Sequence, residues 1–426
     1  LPSDVQVGGT TAISPDGRHV ACVAKTAAGF SVVVDGKDGK AYRQISEGPP
    51  VFSPDGRHVA YSAGGADGTF MVVDGKEQRP YDGGVSRSGS FSADGQRFCY
   101  GAKRDGKEFA VVDGVESKPF DGILRGTPVF SPDGRHVAYG ALSGDVWFVV
   151  LDGQKGPDFA GIGTSLVFAE DGTRFAYAAA TGGQYLFVVD GRRQPQHTAV
   201  GKVVFSRTGR HYAYEAGVTG DSFVVIDGME GRHYHDITAN PLRFTADGNH
   251  VFYVVGTADD RVAVTVDKQA GPLIDDVLAG TPVSSADSRH IAYGAREGDH
   301  WSVVLDGVRK KSYAGVGAHS VVFSPDSLHL AYLASTDGKW FLVLDGVEGR
   351  AYPIATLTPV FSADGRHVAY GVCEARQECF VVVDGIEGKR FDNLYHDRLF
   401  FDSADRFHYI AILGRSIYEV EETIRP

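Results

Sequence analysis

Apolar runs and polar turns alternate along this chain as one repeating unit. A short apolar run such as "TPVF" (127–130) leads into a polar S-P-D-G, and "RHVAYGA" follows. Next come a polar loop such as "LSGD", a second apolar run, "WFVVLDG", and a segment of the type "KPFD". The stretch "VFSPDGRHVAY" at 51–61 recurs letter for letter at 129–139 and with one change at 360–370. The unit predicts four short strands. Pro and Asp-Gly supply the turn after the first strand, because Pro presets φ and Gly tolerates positive φ. Asp-Gly at the end of the third strand signals a tight hairpin to the fourth. The second and third strands are apolar on both faces, the pattern of strands covered on both sides. No unit carries a helix-period stripe, which excludes a helical solenoid.

The repeat runs the length of the chain. Its S-P-D-G mark falls at Asp16, Asp55, Asp94, Asp133, Asp171, Thr208, Asp247, Asp287, Asp326, Asp364 and Asp405, 37 to 41 residues apart. Like units standing side by side and covering each other's faces describe an all-β propeller. The expectation is a single domain over 1–426, one closed ring of eleven four-stranded blades. The competing arrangement is two propellers in series, of five and six blades. The last unit lacks a fourth strand, and "LPSD" at the N-terminus aligns with "KPFD". Residues 1–7 are therefore expected to complete the last blade and remove its open sheet edge.

The unit "FSPDGRHVAY…VVVDG" resembles the WD40-like repeat of TolB-type bacterial propellers, also called the PD40 repeat. The likeness covers nearly the whole chain. It implies the propeller fold, and a role like that of periplasmic partner-binding proteins or the non-catalytic propeller domains of peptidases. Six to eight blades are usual in that family, so eleven is a departure.

Composition narrows the function classes. A formal charge of −12 and a pI of about 5.7 disfavour a general nucleic-acid binder, which needs a basic face. No apolar run reaches the roughly 20 residues of a membrane span. The chain begins at Leu1, which fits an extracytoplasmic protein (periplasmic, secreted or cell-surface) whose signal peptide has been removed. Cys373 and Cys379 flank a five-residue stretch, "EARQE". They are either a disulfide across a hairpin or two reduced thiols; the disulfide would argue for an oxidising compartment. Cys22 and Cys99 read as small core residues.

Three columns invite a chemical reading. His19, His58, His136, His211, His250, His290, His329, His367 and His408 share one position, with Arg97 and Arg174 in the other two units. Equivalent residues on neighbouring blades are about 10 Å or more apart, too far for one metal ion. The column therefore reads as hydrogen-bond donors to turn groups near S-P-D-G. The Asp columns read as turn residues rather than calcium ligands, which need six to eight oxygens around one point. Trp147, Trp301 and Trp340 share the start of the third strand, placed either to pack between blades or to stack on a ligand at the rim. No metal or cofactor is expected.

Standard catalytic motifs are absent from the sequence. The candidate binding residues are the pattern breaks in the loops between second and third strands, together with the Trp column: Arg104, Asp105, Trp147, Asp259, Asp260, Arg261, Arg296, Glu297, His300, Trp301 and Trp340. The loop from Glu374 to Glu378 is a further break. Mixed charges without a dense acid–base cluster point to recognition of a protein partner by a non-catalytic scaffold. The alternatives are a propeller enzyme (lyase, lactonase or glycosidase) with its site at the channel mouth, or a lectin that uses the Trp column.

Overall fold

The computed structural model describes the backbone of residues 6–26, 28–46, 48–86, 89–237, 242–414 and 416–424. Among these residues there is no helix, and the strands form eleven antiparallel sheets that follow one another along the chain. These are the blades of a β-propeller, numbered here 1 to 11 in chain order. Blade 3 shows the plan: Ser90–Phe91, Phe98–Arg104, Lys107–Val112 and Val115–Glu116, hydrogen-bonded in that order. In five blades the first strand is interrupted and its two pieces both pair with the second strand, as Gly122–Ile123 and Val129–Phe130 do with Val137–Ser143.

The blades fall into two compact units, residues 1–203 and 204–426. Blades 1 to 5 lie in the first unit and blades 7 to 11 in the second; the boundary passes through Val200–Phe205, the first strand of blade 6. Of residues 1–7, Gln6 and Val7 open the first strand of blade 1, where they face Lys25 and Ala24. They do not join blade 11. Residues 1–5 lie outside the described residues. Blade 11 consists of Asn393–Phe401, Arg406–Leu413 and Ser416–Thr423.

The turns follow from local chemistry. At S-P-D-G, the Ser53 hydroxyl donates to Asp55 Oδ1, and the Gly56 N–H donates to the Ser53 carbonyl. Gly56 has φ of 71°. A side chain there would also collide with the Asp16 carboxylate of the preceding blade. At the third-strand hairpin, Asp74 and Gly75 both have positive φ, 49° and 74°. That pair of values is the type I′ geometry whose twist suits a two-residue hairpin.

Packing between blades is done by aromatics. In several blades the segment after the fourth strand sends an aromatic ring against the second and third strands of the next blade. In the first unit, Tyr42 meets Tyr61 and Phe70 edge-on, and Phe120 meets Tyr139 and Phe148. In the second unit, Tyr313 meets Tyr332 and Phe341, Tyr352 meets Phe380, and Phe391 meets Tyr409. Tyr352 is wholly buried and Tyr81 and Tyr313 nearly so. Burying each such ring contributes about 1.5–3 kcal/mol, and edge-on pairing adds to it. Ion pairs outside the rings tie the same blades together: Lys40 to Glu77, Arg79 to Glu116, Lys311 to Glu348 and Arg350 to Glu387.

Candidate functional site

The histidine column is built into a clasp within each blade. His136 Nδ1 lies 2.6 Å from Asp152 Oδ2, and the Val137 N–H donates to Asp152 Oδ1 at 2.9 Å. The same pair of bonds recurs from His58 and Val59 to Asp74, from His290 and Ile291 to Asp306, and from His329 and Leu330 to Asp345. Arg97 Nε and Arg174 Nε take the place of the imidazole on Asp113 and Asp190. The ring's partner is thus the Asp of the Asp-Gly hairpin rather than the S-P-D-G turn. The exception is His408, whose Nδ1 meets Asp402 in the turn of its own blade at 2.9 Å. Joining the second strand's start to the third strand's end is a structural task, and either a His or an Arg donor performs it.

The S-P-D-G carboxylates are likewise engaged. The Ser53 hydroxyl holds Asp55 below the ordinary aspartate range, and the Ser92 and Ser131 hydroxyls do so for Asp94 and Asp133. The Thr245 hydroxyl, joined by the Asn249 N–H, takes Asp247 down to about 2. Among the described residues, no three His, Cys, Asp or Glu side chains gather in a metal-binding group.

Most of the loop charges chosen from the sequence are paired inside their own blades or with a neighbour. Arg104 grips Glu116 with both guanidinium nitrogens at 2.8 Å, and this guanidinium holds the Glu116 carboxyl below its usual range. Asp105 is a hairpin residue with φ of 51°. Asp259 accepts the Thr257 hydroxyl, Asp260 turns the chain at φ of 58°, and Arg261 donates to the Leu273 carbonyl and pairs with Asp275. Arg296 lies near Asp276 and over the Trp301 ring, while Glu297 pairs with Arg309. His300 faces Glu297 across the hairpin and is exposed. Arg350 of blade 9 binds Glu374, near the end of the second strand of blade 10. Trp147 is half-buried beside Phe159. Trp301 packs on the cluster holding Tyr313, Tyr332 and Phe341, and Trp340 on that holding Tyr352, Tyr370 and Phe380. Arg104, Asp105 and Trp147 belong to the first unit and the other candidates to the second.

Cys373 and Cys379 face each other on the second and third strands of blade 10 and form a disulfide. Cys22 and Cys99 are free and buried, and burial pushes the Cys99 thiol up to about 12. A cavity of about 790 Å³ lies between blades 3 and 4, lined by Ser86, Cys99, Lys103, Glu108, Leu124 and Arg125 among others. Its acid is already committed: Glu108 accepts the Ile123 N–H and lies 3.8 Å from Lys103.

No protein-family model matches the chain, and no curated protein sequence matches it. Solved structures similar to it include the following. A eukaryotic initiation factor aligns at 12% identity and a TM-score of 0.41, covering 79% of this chain and 97% of that one. TolB from Acinetobacter baumannii aligns at 15% identity and a TM-score of 0.27, covering 58% and 75%. The Cps50 (Swd1) β-propeller domain of Myceliophteria thermophila aligns at 15% identity and a TM-score of 0.27, covering 61% and 97%. The chain is an all-β repeat protein built of successive propeller blades, with the S-P-D-G and V-D-G marks at their turns.

The pattern missed by a search for catalytic motifs is one of exposed apolar residues. The first residue of the fourth strand is Val308, Val347 and Ile386 in blades 8, 9 and 10, exposed at 60%, 72% and 73%. Leu328 stands where other units carry Arg in S-P-D-G-R and is 76% exposed. The sequence carries part of this signal: Lys37, Lys76, Gln154, Arg192 and Gln269 hold the position in blades 1, 2, 4, 5 and 7, while Val115 and Met229, exposed as well, hold it in blades 3 and 6.

Proposed function

We propose that this protein is a non-catalytic β-propeller scaffold that binds a protein partner outside the cytoplasm. The observation that carries this reading is the row Val308, Val347 and Ile386, with Leu328 on the turn of blade 9. Large aliphatic side chains stand exposed at one position of three consecutive blades, and exposed apolar side chains of this kind serve protein association when they are presented together. The polar columns support the reading from the other side. Their His, Arg, Asp and Ser side chains are occupied in holding turns, as the His136–Asp152 and Ser131–Asp133 pairs illustrate. The Cys373–Cys379 bridge favours an oxidising compartment.

The experiment is affinity capture of the full chain from its native envelope or secreted fraction, with cross-linking and mass spectrometry. Val347→Glu paired with Ile386→Glu should abolish capture and leave the far-UV spectrum unchanged. Capture that is indifferent to both changes, or a chain that captures nothing, would contradict the reading.

A further inference from the structure

The joint between blades 6 and 7 repeats the plan of other joints with a carboxylate missing. In or just after the fourth strand, five blades carry Lys or Arg two residues before a Tyr: Lys40–Tyr42, Arg79–Tyr81, Arg232–Tyr234, Lys311–Tyr313 and Arg350–Tyr352. In four of the five, the next blade answers with a Glu at the second position of its fourth strand. Arg79 and the Tyr81 hydroxyl both meet Glu116, at 3.2 and 2.9 Å. Arg350 and the Tyr352 hydroxyl both meet Glu387, at 2.5 and 3.1 Å. Lys40 binds Glu77 and Lys311 binds Glu348, each at 2.6 Å. These lysines, joined by the hydroxyls of Tyr42 and Tyr313, hold the two carboxyls below the usual glutamate range. After Arg232–Tyr234 the answering residue is Ala270, which stands opposite Thr265 as Glu116 stands opposite Val111.

The donors that would hold the carboxylate are all in place. Arg232 lies 5.5 Å over the Tyr234 ring, as Arg350 lies 5.3 Å over Tyr352, and it is exposed and in no ion pair among the described residues. The Tyr234 hydroxyl is shielded from solvent and has no hydrogen-bond partner. Thr265 is fully buried, and its hydroxyl has none either. Both face this joint. Tyr253 pairs with Thr265 and Thr265 with Ala270, a row of side chains on one face of the sheet, and Tyr234 packs on the cluster that holds Tyr253. Ala263 stands where Phe70, Phe341 and Phe380 meet the incoming ring at other joints. Tyr234 is accordingly only partly buried, whereas Tyr42, Tyr81, Tyr313 and Tyr352 are at most 5% exposed. A buried hydroxyl without a partner carries a desolvation penalty. Elsewhere the chain avoids it by dropping the hydroxyl when the next blade lacks the Glu: Phe120 precedes Lys155, Phe159 precedes Arg193 and Ile274 precedes Arg309. Tyr234 breaks that rule.

We infer that the joint between blades 6 and 7 binds a carboxylate brought from outside the chain, held by Arg232 and by the hydroxyls of Tyr234 and Thr265. The four filled joints supply the chemistry, because there a glutamate carboxylate meets the same basic and tyrosine pair. A guanidinium and neutral hydroxyls donating to one carboxylate make charge-assisted hydrogen bonds, the stronger kind. Ala270 is exposed, so the place that a Glu side chain takes at the other joints is open to solvent. An acidic side chain of a partner protein and a small free acid present the same group to these donors. The inference is independent of the reading of the protein as a scaffold.

The test is nuclear magnetic resonance of the full chain, isotope-labelled at its arginine side chains. The probe is capped glutamate, N-acetylglutamic acid α-amide, titrated at constant ionic strength, with the matching capped glutamine as the neutral control. The Arg232 Nε signal, identified by its loss in Arg232→Lys, should shift saturably with the acid and stay put with the amide. Tyr234→Phe and Thr265→Val should each weaken binding about fivefold, the worth of one hydrogen bond. Ala270→Glu should block the probe and raise the urea midpoint, because the chain then fills its own site, and adding Tyr234→Phe should reduce that gain. An Arg232 signal that does not move in the parent, probe binding that survives Ala270→Glu, or a midpoint that Ala270→Glu leaves unraised would overturn the inference. Capture from the native fraction separates the sources. A partner held by the parent and lost by Ala270→Glu supplies the carboxylate itself, and a partner held equally by both assigns the site to a small acid. Probe binding without capture of any partner would contradict the scaffold reading and leave this site standing.

Discussion

His136 and Asp152 are 16 residues apart in sequence, yet the imidazole Nδ1 and the carboxylate Oδ2 are 2.6 Å apart. The pair exists because Val137–Ser143 and Val146–Leu151 form a hairpin whose register sets Ala138 opposite Leu151. The hairpin brings the start of one strand to the end of the other, and Asp152 then turns the chain at φ of 49°. The carboxylate closes this open end of the hairpin with two hydrogen bonds, one to a side chain and one to the backbone.

The aromatic ladder sets the first expected outcome. Tyr352 is fully buried and its hydroxyl donates to Glu387 of the next blade at 3.1 Å. Tyr352→Phe keeps the ring and loses that bond, costing about 1 kcal/mol. Tyr352→Ala also empties the ring's site against Tyr370 and Phe380, costing about 3–5 kcal/mol. Urea unfolding of the three proteins should rank them in that order. Equal midpoints for Phe and Ala would place the weight on the hydroxyl instead.

Stability in blade 7 should fall at both ends of the pH range. Asp247 titrates at about 2 against an ordinary 3.8, chiefly because the Thr245 hydroxyl donates to it. A depressed value contributes stability that is present above 3.8 and is lost as pH falls through about 2. His250 is raised above 6.5 by its hydrogen bond to Asp267. A raised value contributes stability that is full below 6.5 and is lost as pH rises through the folded-state value. Asp247→Asn should therefore lie below the parent in urea midpoint near neutral pH and converge with it in acid. His250→Gln should show its deficit below pH 6.5 and converge as pH rises. A deficit independent of pH in either variant would rule out the titration behind it.

The cysteines make a counting prediction. Cys22 and Cys99 are buried free thiols, and Cys373 and Cys379 are bridged. Alkylation read by intact mass should add no label to the native chain, two labels after denaturation alone, and four after denaturation with reduction. Four labels without reductant would remove the bridge, and with it the main argument for an oxidising compartment.

The blades were legible in the sequence because every unit meets the same surroundings, so selection for turn geometry and inter-blade packing writes the same letters each time. Gly56 recurs as Gly95 and Gly134 because the turn requires positive φ. Tyr352 recurs as Tyr313 and Tyr42 because the next blade offers the same slot. The partner of His136 was less legible, since it depends on hairpin register rather than on neighbouring residues. Arg104 and Glu297 stood out as breaks in the repeat, but their partners Glu116 and Arg309 lie 12 residues on, across a further strand. Polarity alone does not separate a paired charge from one held for a ligand.

The claim that the repeated polar columns hold turns rather than perform chemistry is tested most directly at His136, by comparing urea unfolding of the parent with His136→Arg and His136→Ala. Arg97 and Arg174 already serve this role in blades 3 and 5. His136→Arg should unfold with the parent, and His136→Ala should lose about 1 kcal/mol, the worth of one partly exposed hydrogen bond to a carboxylate. An Arg variant as damaged as the Ala variant would contradict the donor role and return the column to a reading that needs imidazole itself.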